Sequence, residues 1–484
     1  MRASSDTLLY QEQHGVVQAL LGDHGIDLHS PPQAQEPPTQ LWWLFCTPKS
    51  APLAPTFTGR FIPYHDIVWC ERIELGVYTL RIVFEHRVVA QAVAMDADDD
   101  LSEKVLQMAY GELIIKPRVL VVVNPHGGKG HASHIYHKQV LPVLRAAHAQ
   151  VTFIETKHAE HATEIAKDLE IANYDYIACC SGDGIPHEIV NGLYLRPDRK
   201  QAFDKVAITQ LPCGSGNAMT WSTHATSDPV DATLSMLKLT RVKADAMAVT
   251  QLDLSGNPVT KLSFLTQTYG IIADADIGTE HLRWMGALRF DIATAKGILA
   301  RATYPCDLYV DYACNDKREL VRALAPSALA PSHPKPEATD YTLRGPPLDK
   351  PVPLLWSKVA GTDKLNVLYA GKYPYILKDV LFFPTAQPDD GTIDLLLTST
   401  EISVMDMNGM FSKVHTGEHI YHEKMGYSKV YSYRLVPRVH GTHYLSVDGE
   451  SFPLETLQVE VLPQAVTVLV HPEGVNNAKF IRKT

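Results

Sequence analysis

The stretch that decides the fold is Ile177-Ala-Cys-Cys-Ser-Gly-Asp-Gly-Ile-Pro-His-Glu-Ile-Val-Asn-Gly-Leu193. The apolar run at 176–180 predicts a buried strand. Gly182 and Gly184 allow a tight turn, and the proline that follows is tolerated in the first turn of a helix, where its missing N–H costs nothing. Asp183 is thereby placed at the carboxyl end of a strand, where open α/β sheets bind their ligands. Taken alone, the stretch is equally typical of a strand-to-helix turn with a capping aspartate.

Two further stretches repeat this pattern. Val119-Leu-Val-Val-Val-Asn-Pro-His-Gly-Gly-Lys-Gly130 lies upstream, and Val206-Ala-Ile-Thr-Gln-Leu-Pro-Cys-Gly-Ser-Gly-Asn217 lies downstream. Each is an apolar strand that ends in a glycine-rich loop leading into a helix. Backbone N–H groups exposed at helix N-termini bind phosphate. Three such loops in order therefore predict a phosphate-binding rim.

The motif trio Asn-Pro-x-Gly-Gly-Lys-Gly, Ser-Gly-Asp-Gly-x-x-His-Glu-x-x-Asn-Gly-Leu and Leu-Pro-x-Gly-Ser-Gly-Asn-Ala resembles the sphingoid long-chain base (sphingosine) kinases. These belong to the diacylglycerol-kinase-like lipid kinase superfamily, and the resemblance covers roughly residues 118–470. The pair Ile185-Pro186 is similar to the fungal branch. Relatives that phosphorylate diacylglycerol or NAD usually carry Gly-Gly-Asp-Gly-Thr here, whereas this chain has Ser181 and Ile185 at the two variable positions.

The resemblance implies a role for individual residues. Asp183 is implied as the general base on the primary hydroxyl of the lipid. Asp276 is implied as the carboxylate that binds the substrate ammonium, and nearby Asp274 is the alternative. The residues implied in the ATP site are Asn124, Pro125, His126, Gly127, Gly128, Thr156, Glu160, Ser181, Gly182, Gly184, Glu188, Gly214, Ser215, Gly216, Arg283, Arg289, Asp448, Gly449 and Glu450. ATP is the implied cofactor, and Mg²⁺ accompanies it because the triphosphate charge must be compensated. No protein ligand to a metal is predicted.

Some of these residues have a simpler interpretation from the sequence alone. Arg283 and Arg289 are six apart, so they are not aligned on a helix and are typical of a solvated face. An Asp-Gly pair such as 448–449 is typical of a hairpin turn. His415-Thr-Gly-Glu-His419 satisfies the H-x-x-E-H pattern of some zinc proteases, but its central glycine weakens the helix that must present both histidines. Neither zinc binding nor proteolysis is predicted.

Composition limits the class of protein. The 484 residues are 45% apolar and 20% charged, as in an ordinary globular protein, and the formal net charge is −10. An acidic chain argues against a nucleic-acid partner and against strong electrostatic docking to anionic lipid. There is no GxxxxGK[ST] phosphate loop, because Lys129 is followed by Gly130.

The cellular compartment and the contact with membranes are also inferred from composition and short motifs. Seven cysteines without finger spacing fit a reducing cytosol. The first thirty residues lack an apolar signal core, no apolar run is long enough to span a bilayer, and Met1-Arg2 excludes N-myristoylation. We therefore expect a cytoplasmic enzyme that associates peripherally with membranes, and the sequence leaves a homodimer open.

Three domains are predicted. Residues 1–112 are an accessory β-rich module, with alternating runs at 41–45, 61–69, 77–84 and 88–94 that predict an antiparallel sheet and with a helix at 101–110. It is pleckstrin-like by analogy only, and its role is either membrane or partner binding or that of a structural appendage. Residues 113–243 form a nucleotide-binding α/β domain, because strands at 119–123, 151–155, 176–180 and 205–211 alternate with helices at 134–147, 159–169, 186–194 and 230–239.

Residues 244–484 are predicted to be a mainly antiparallel β, lipid-binding domain whose C-terminal strands return to the nucleotide domain. Strands are predicted at 245–254, 261–272, 306–312, 365–368, 376–383, 392–398, 427–436, 457–461 and 466–470, and helices at 280–302 and 403–414. The proline-rich stretch at about 325–353 predicts a disordered surface insertion.

The function predicted from these features is ATP-dependent phosphorylation of the primary hydroxyl of a sphingoid long-chain base, which gives the base 1-phosphate. A ceramide or diacylglycerol kinase of the same fold is the nearest alternative. A catalytically silent lipid-binding regulator is the alternative from another class, and the intact Asp183 and glycine loops argue against it.

Overall fold

The computed structural model describes residues 11–29, 60–95, 100–127, 130–214, 216–279, 281–282, 288–323 and 337–470. Its backbone contacts group the chain into two compact units. The first unit combines residues 1–119, 134–152 and 228–239, and the second combines residues 120–133, 153–227 and 240–484. The division into three domains, 1–112, 113–243 and 244–484, remains a prediction from the sequence.

A six-stranded sheet and one helix form the N-terminal module: β1 Gln11–Leu21, β2 Gly25–His29, β3 Arg60–Pro63, β4 Ile67–Glu74, β5 Val77–Phe84, β6 Arg87–Ala94 and α1 Leu101–Tyr110. The strand order is β3-β2-β1-β6-β5-β4. Neighbours pair antiparallel, apart from β1 and β6, which are parallel. The predicted small sheet and helix are confirmed, and the one parallel pair was not predicted because it joins the most distant strands. The strand predicted at 41–45 lies outside the described residues.

The first unit also contains a helix from the predicted nucleotide domain. The ammonium of Lys238, at the end of that helix, donates to the carbonyls of Ile67 and Ala109, both at 2.8 Å. It lies 3.4 Å from the centre of the Tyr110 ring. Burial lowers the pKa of Lys238 to about 7. The helix is thereby joined to the module by a buried amine that no sequence pattern indicated.

The middle of the chain alternates strands and helices: β7 Arg118–Val123, α2 Ala132–Ile135, α3 Leu141–Ala146, β8 Gln150–Glu155, α4 His161–Asp168, β9 Tyr176–Ser181, α5 Gly184–Tyr194, α6 Arg199–Lys205, β10 Ala207–Pro212, α7 Ala218–His224 and α8 Pro229–Lys238. One turn of π-helix, Tyr136–Val140, joins α2 to α3. The strand order is β10-β9-β7-β8, with β9 and β10 parallel. The predicted α/β alternation is confirmed. Helices α6 and α7 were not predicted, and the strand predicted from residue 205 begins at Ala207, because Lys205 ends α6.

The remainder is mainly antiparallel β: β11 Thr240–Leu252, β12 Pro258–Ser263, β13 Thr266–Gly270, α9 Ile271–Asp276, α10 Leu288–Leu299, β14 Cys306–Cys314, α11 Lys317–Ala323, β15 Ser357–Lys358, β16 Leu365–Gly371, β17 Tyr375–Leu377, β18 Val380–Leu381, β19 Ile393–Ser399, α12 Val404–Phe411, β20 Gly426–Pro437, β21 Leu445–Val447, β22 Glu450–Phe452 and β23 Leu457–Val470. The predicted fold class is therefore confirmed: an α/β region, a β-rich C-terminal domain and a small β-rich N-terminal module.

The single strand predicted at 261–272 is wrong. The chain forms β12 and β13 and then enters α9 at Ile271. Gly270 makes the change of direction, since its φ is +106° and a Cβ there would lie 2.3 Å from the carbonyl oxygen of Asn366. Of the helix predicted at 280–302, the structure describes α10. Apolar residues on both sides of Gly270 concealed the boundary between strand and helix.

One long strand connects the two halves of the second unit. Along its length β23 pairs antiparallel with β20 and β11, and Val468 pairs in parallel with Ile208 of β10. The sheet therefore runs without interruption in the order β22-β21-β13-β16-β19-β20-β23-β10-β9-β7-β8. The predicted return of the C-terminal strands to the nucleotide-binding region is made by this strand.

The prediction of a disordered insertion is wrong for its second half. The Arg434 guanidinium donates to the carbonyls of Pro346, Pro347 and Lys350 at 2.6–3.1 Å. The Tyr341 ring stacks on Phe203 with ring centres 5.8 Å apart. Backbone carbonyls in a proline-rich stretch still accept hydrogen bonds, which composition alone does not indicate. Residues 324–336 lie outside the described part of the chain.

Candidate active site

Asp183 stands between β9 and α5, at the carboxyl end of the strand. Its carboxylate does not cap α5. Oδ2 accepts from the backbone N–H of Ala218 at 3.1 Å, Oδ1 accepts from that of Met219 at 3.2 Å, and the Gln210 amide donates to Oδ1 at 3.1 Å. Ala218 and Met219 are the first residues of α7. Asp183 therefore caps α7 and not α5, and α7 was not predicted from the sequence.

Burial raises the pKa of Asp183 to about 6. The two backbone hydrogen bonds and the Gln210 amide act against this rise, and the charge of Asp448 adds to it. A carboxylate with a pKa close to neutrality is a stronger proton acceptor than an exposed aspartate and is still largely ionised at pH 7. Asp183 therefore has the strength and the position of a general base.

The glycine loops lie against one another around this carboxylate. A Cβ on Gly214 would lie 2.2 Å from the backbone nitrogen of Gly182, and a Cβ on Gly182 would lie 3.0 Å from the carbonyl oxygen of Gly216. A Cβ on Gly216 would approach Asp183 Oδ2 to 3.1 Å. The two loops can pack this closely only because these positions carry no side chain. Ser181, the last residue of β9, is buried and its hydroxyl donates to the Gly182 carbonyl.

The first loop is shaped by Asn124. Its side-chain oxygen accepts the N–H of His126 at 3.0 Å, and the N–H of Gly127 donates to its carbonyl at 3.2 Å. Pro125 lies within this turn. The backbone of Asn124 donates to Cys180, which places the loop beside the end of β9. Of the predicted loop residues, Gly128, Lys129 and Ser215 lie outside the described residues.

The predicted adenosine-contacting segment follows β8. Thr156 is buried and its N–H donates to the Val123 carbonyl at 2.9 Å. Glu160 is exposed and accepts from Thr163 Oγ1 and Lys261. Glu188 Oε2 accepts the N–H of Ala162 at 2.9 Å, and burial raises the pKa of Glu188. Glu188 therefore joins α5 to α4 directly.

The same segment carries a group of metal-binding side chains that the sequence reasoning missed. His158, His161 and Glu164 each bring one donor atom within 4.8 Å of the others. His161 Nδ1 already accepts the N–H of Lys157 at 3.2 Å, and His158 and Glu164 are exposed. A metal would have to displace a backbone hydrogen bond, so the group is poorly prepared for one.

The two candidate ammonium-binding carboxylates lie on α9. Asp274 accepts from the Tyr304 hydroxyl at 2.7 Å, His443 Nδ1 at 2.9 Å and the N–H of Tyr444 at 3.1 Å. Asp276 Oδ2 accepts from Ser446 Oγ at 3.0 Å. Asp274 therefore joins α9 to two other segments through three contacts.

Arg289, at the start of α10, donates to the backbone carbonyl of Asp276 and to Thr279 Oγ1, both at 3.4 Å. Its guanidinium also lies 4.2 Å from the centre of the Phe290 ring. Arg283 lies outside the described residues. The structure therefore brings one of the two predicted arginines to the helix that carries the ammonium-binding candidates.

One hairpin, formed by β21 and β22, contacts both Asp276 and the neighbour of Asp183. Ser446 Oγ donates to Asp276 Oδ2 at 3.0 Å, and a Cβ on Gly184 would lie 3.1 Å from Glu450 Oε1. Burial raises the pKa of Tyr369, and the charges of Asp276, Asp183 and Asp448 raise it further. The hairpin therefore brings the predicted base and the predicted ammonium-binding residue to one site, although they are far apart in the sequence.

The hairpin of β21 and β22 closes the site. Asp448 and Gly449 form its two-residue turn, with φ of +53° and +84°. The Glu450 carboxylate lies over α5, because a Cβ on Gly184 would be 3.1 Å from Glu450 Oε1. The carboxylate of Asp448 points instead into the protein and contacts His187 at 2.8 Å. The predicted hairpin turn is confirmed, and all the described contacts of Asp448 are internal.

An apolar pocket lies in the C-terminal domain, lined by Val367, Phe382, Leu396, Thr398, Met407, Met410, Phe411, Val414, His419 and Met425. His419 Nε2 contacts the Phe382 carbonyl at 2.9 Å, and burial lowers the pKa of His419 to about 4, so the ring is neutral. His415 contacts a different carbonyl, that of Asp379, and Gly417 between the two histidines has a φ of +72°. The pattern resembling a zinc protease is thus not presented on a helix.

Comparison with known proteins agrees with this geometry. Residues 118–249 match the diacylglycerol kinase catalytic domain, and residues 365–470 match the YegS C-terminal NAD kinase beta sandwich-like domain.

Sphingoid long chain base kinase 5 of Saccharomyces cerevisiae is 35% identical over 77% of this chain and 62% of its own length, so this chain spans less than two thirds of that relative. Sphingoid long chain base kinase 4 of Schizosaccharomyces pombe is 33% identical over 87% of this chain and 90% of its own length. Sphingosine kinase 1 of Homo sapiens is 29% identical over 72% of this chain and 89% of its own length.

Proposed function

This chain belongs to the sphingoid long chain base kinases, and we propose that it transfers the γ-phosphoryl group of ATP to the primary hydroxyl of a sphingoid long-chain base. The products are the base 1-phosphate and ADP. The observation that carries the proposal is the hairpin that contacts Asp276 through Ser446 and the neighbour of Asp183 through Glu450, beside loops whose glycines admit phosphate. A proton acceptor and a cation-binding carboxylate in one site fit an amino alcohol as the acceptor.

Asp183 acts as the general base. It accepts the proton of the primary hydroxyl as the hydroxyl oxygen forms its bond to the γ-phosphorus and the bond from phosphorus to the bridging oxygen of ADP breaks. Its pKa of about 6 keeps it ionised at neutral pH. The hydrogen bonds from Ala218, Met219 and Gln210 hold the carboxylate in place, so little reorganisation accompanies the transfer.

The triphosphate lies against the glycine loops that contain Gly127, Gly214 and Gly216, where the missing side chains leave room for phosphate. Mg²⁺ supplies charge compensation when it is bound with ATP. The carboxylate of Glu450 is an oxygen donor of the type Mg²⁺ prefers, and it lies over Gly184. Glu450 is the residue that would hold the ion together with the phosphates.

Asp276 binds the ammonium next to the reactive hydroxyl. Asp274 is the alternative for this role, and its carboxylate accepts from Tyr304, His443 and the backbone N–H of Tyr444. Its contacts fix α9 and therefore the position of Asp276. The hydrocarbon chain has to be desolvated together with the reacting group. The apolar cavity lined by Met407 and Met410 has a volume of only about 10 Å³, so it would have to open to take the chain.

Peripheral membrane contact is part of the proposal, with the enzyme in the cytoplasm. On α10, Leu288, Ile292 and Leu299 are four and seven residues apart and therefore share one face, and they are 55%, 53% and 70% exposed. An exposed apolar stripe next to the site of a bilayer-derived substrate fits a membrane surface. Among the described helices, none is both long and apolar enough to cross a bilayer.

The membrane contact is tested with Ile292→Glu. A carboxylate in the apolar stripe opposes insertion among lipid tails, so we expect this variant to co-sediment less with phosphatidylcholine vesicles containing sphingosine. Leu254→Glu, at a fully exposed turn position, is the matched control and should bind as the wild type does. Equal binding of the Ile292→Glu variant and the wild type would remove α10 from the membrane contact.

The function is tested with labelled ATP and a panel of sphingosine, dihydrosphingosine, phytosphingosine, ceramide and diacylglycerol. We expect label in the base 1-phosphates and little in the two lipids without an ammonium. Preferential labelling of ceramide or diacylglycerol would refute the proposed acceptor. Binding of the lipids without any ATP turnover would favour a silent regulator.

A further inference from the structure

The side chain of Asp448 is the most heavily hydrogen-bonded carboxylate around the site. Its Oδ1 accepts from Ser263 Oγ at 2.6 Å, and its two oxygens together accept the successive backbone N–H groups of residues 264–266 at 2.9–3.1 Å. The backbone N–H of Asp448 donates back to the Thr266 carbonyl at 2.8 Å. The tip of the β21–β22 hairpin is thereby fixed to the turn between β12 and β13.

A fifth donor connects this arrangement to the helix that follows the catalytic aspartate. His187, in the first turn of α5, places Nδ1 2.8 Å from Asp448 Oδ2, and the two side chains are 5% and 0% exposed. The carboxylate of Asp448 only accepts, so His187 Nδ1 is the donor in this contact. Asn191 also exchanges two hydrogen bonds with the backbone of Leu262, so α5 is joined to the same turn twice.

The hairpin held in this way touches both halves of the active site. Ser446, two residues before Asp448, donates to Asp276. Glu450, two residues after it, lies over Gly184, the neighbour of Asp183. Ser446 precedes and Glu450 follows the turn at 448–449, so fixing this turn fixes both the contact with Asp276 and the contact beside Asp183.

We infer that Asp448 and His187 are positioning residues that set the separation between the general base Asp183 and the ammonium-binding Asp276. The pair does not bind the nucleotide. Both oxygens of Asp448 are occupied by protein donors in a fully buried position, whereas a phosphate or ribose ligand would be held by exposed donors. This inference rests on the proposed function, because it concerns how the amino alcohol is aligned for transfer.

The test compares His187→Leu with His187→Asn. Leucine removes the N–H donor, while the asparagine side chain can place an amide nitrogen close to the former Nδ1 and restore the bond to Asp448. We expect His187→Leu to lower kcat for a sphingoid base by ~10²-fold, the effect of a misplacement of about 1 Å. The Kd for ATP should not change. His187→Asn should recover most of the lost kcat.

Hydrogen exchange supplies a readout that is independent of turnover. The amides of 445–452 should exchange faster in His187→Leu than in the wild type, and His187→Asn should restore slow exchange. If the leucine variant does not fold, Ser263→Ala removes another donor to Asp448 with a small change in volume. The Ser263→Ala variant should then show a fall in kcat and a rise in the exchange rate of these amides, both smaller than those expected for His187→Leu.

Three results would overturn the inference: unchanged kcat in His187→Leu, no recovery in His187→Asn, or a rise in the Kd for ATP that accounts for the loss of activity. The last result would return Asp448 to the nucleotide site. If the wild type phosphorylated no sphingoid base, the proposed function would fail, and unchanged exchange at 445–452 would then separately overturn the positioning role.

Discussion

Replacement of Asp183 by asparagine is the change that tests the chemistry most directly. The asparagine keeps the size of the side chain but accepts no proton, so kcat should fall by ~10²–10⁴-fold, the usual contribution of a general base. That range corresponds to about 2.7–5.5 kcal/mol of activation free energy. The asparagine oxygen can still accept from Met219 and Gln210, but its amide nitrogen would face the N–H of Ala218, so the variant should lose ~1–3 kcal/mol of the free energy of unfolding and should be checked for folding by circular dichroism.

The pKa of about 6 gives the wild type a characteristic pH profile. Only the ionised carboxylate accepts a proton, so kcat/KM, which reports the pKa of the free enzyme, should be level above about pH 7 and fall about tenfold per unit well below pH 6. At pH 5 about one molecule in ten should retain the ionised base. The residual activity of Asp183→Asn should lack this break.

The assay is initial-rate transfer from labelled ATP to sphingosine between pH 5 and 8, with ATP binding measured by calorimetry. Asp175→Asn is the matched control. Asp175 is buried at the opposite end of β9 and pairs with Lys205 at 3.0 Å, so its loss should affect stability and leave kcat unchanged. Turnover of Asp183→Asn near that of the wild type, or a break near pH 6 that persists in that variant, would refute the role of Asp183 as the base.

Three further changes test the surrounding residues. Asp276→Asn should lower kcat/KM for sphingoid bases by ~10–150-fold, since a charge-assisted bond of ~1.5–3 kcal/mol is lost, and unchanged selectivity over ceramide would place the ammonium elsewhere. Gly214→Ala should abolish ATP binding in calorimetry because its Cβ would lie 2.2 Å from a backbone nitrogen, whereas Gly409→Ala, with open space around it, should bind normally. Arg434→Met should lower the free energy of unfolding by ~2–4 kcal/mol in urea titration, because buried carbonyls lose a charged donor; a variant as stable as the wild type would contradict the structural role given to residues 346–350.

The sequence predicted those parts of the fold that depend on local patterns. Apolar strands followed by glycine loops placed β7, β9 and β10 correctly and put Asp183 at the carboxyl end of β9, because backbone turns of this type require glycine wherever they occur. The hairpin turn at 448–449 was likewise evident from the Asp-Gly pair. These features are encoded within a few residues of where they act.

What could not be predicted depends on contacts between distant residues. Asp183 caps α7, 35 residues further along, and nothing in either segment indicates the other. The carboxylates of Asp274 and Asp448 accept hydrogen bonds from distant parts of the protein. In the sequence, nothing distinguishes them from a carboxylate that binds substrate. The proline-rich segment at 337–353 is held by Arg434, whose position in the sequence gives no sign of its partners. The composition of a segment therefore does not determine whether the rest of the chain packs against it.

The continuous sheet that β23 completes limits how the enzyme can move. Many kinases close two lobes about a hinge when substrates bind, and a hinge needs a boundary that few hydrogen bonds cross. Here β11 pairs with one edge of β23 along most of its length, and β20 and β10 pair with the other edge near its two ends. Rotation of the lipid-binding half against the nucleotide-binding half would therefore break backbone pairs within a sheet. Entry of a long-chain base must therefore depend on local displacement of rim elements such as α10. Turnover should then be limited by how quickly a small gate opens and not by the closure of lobes.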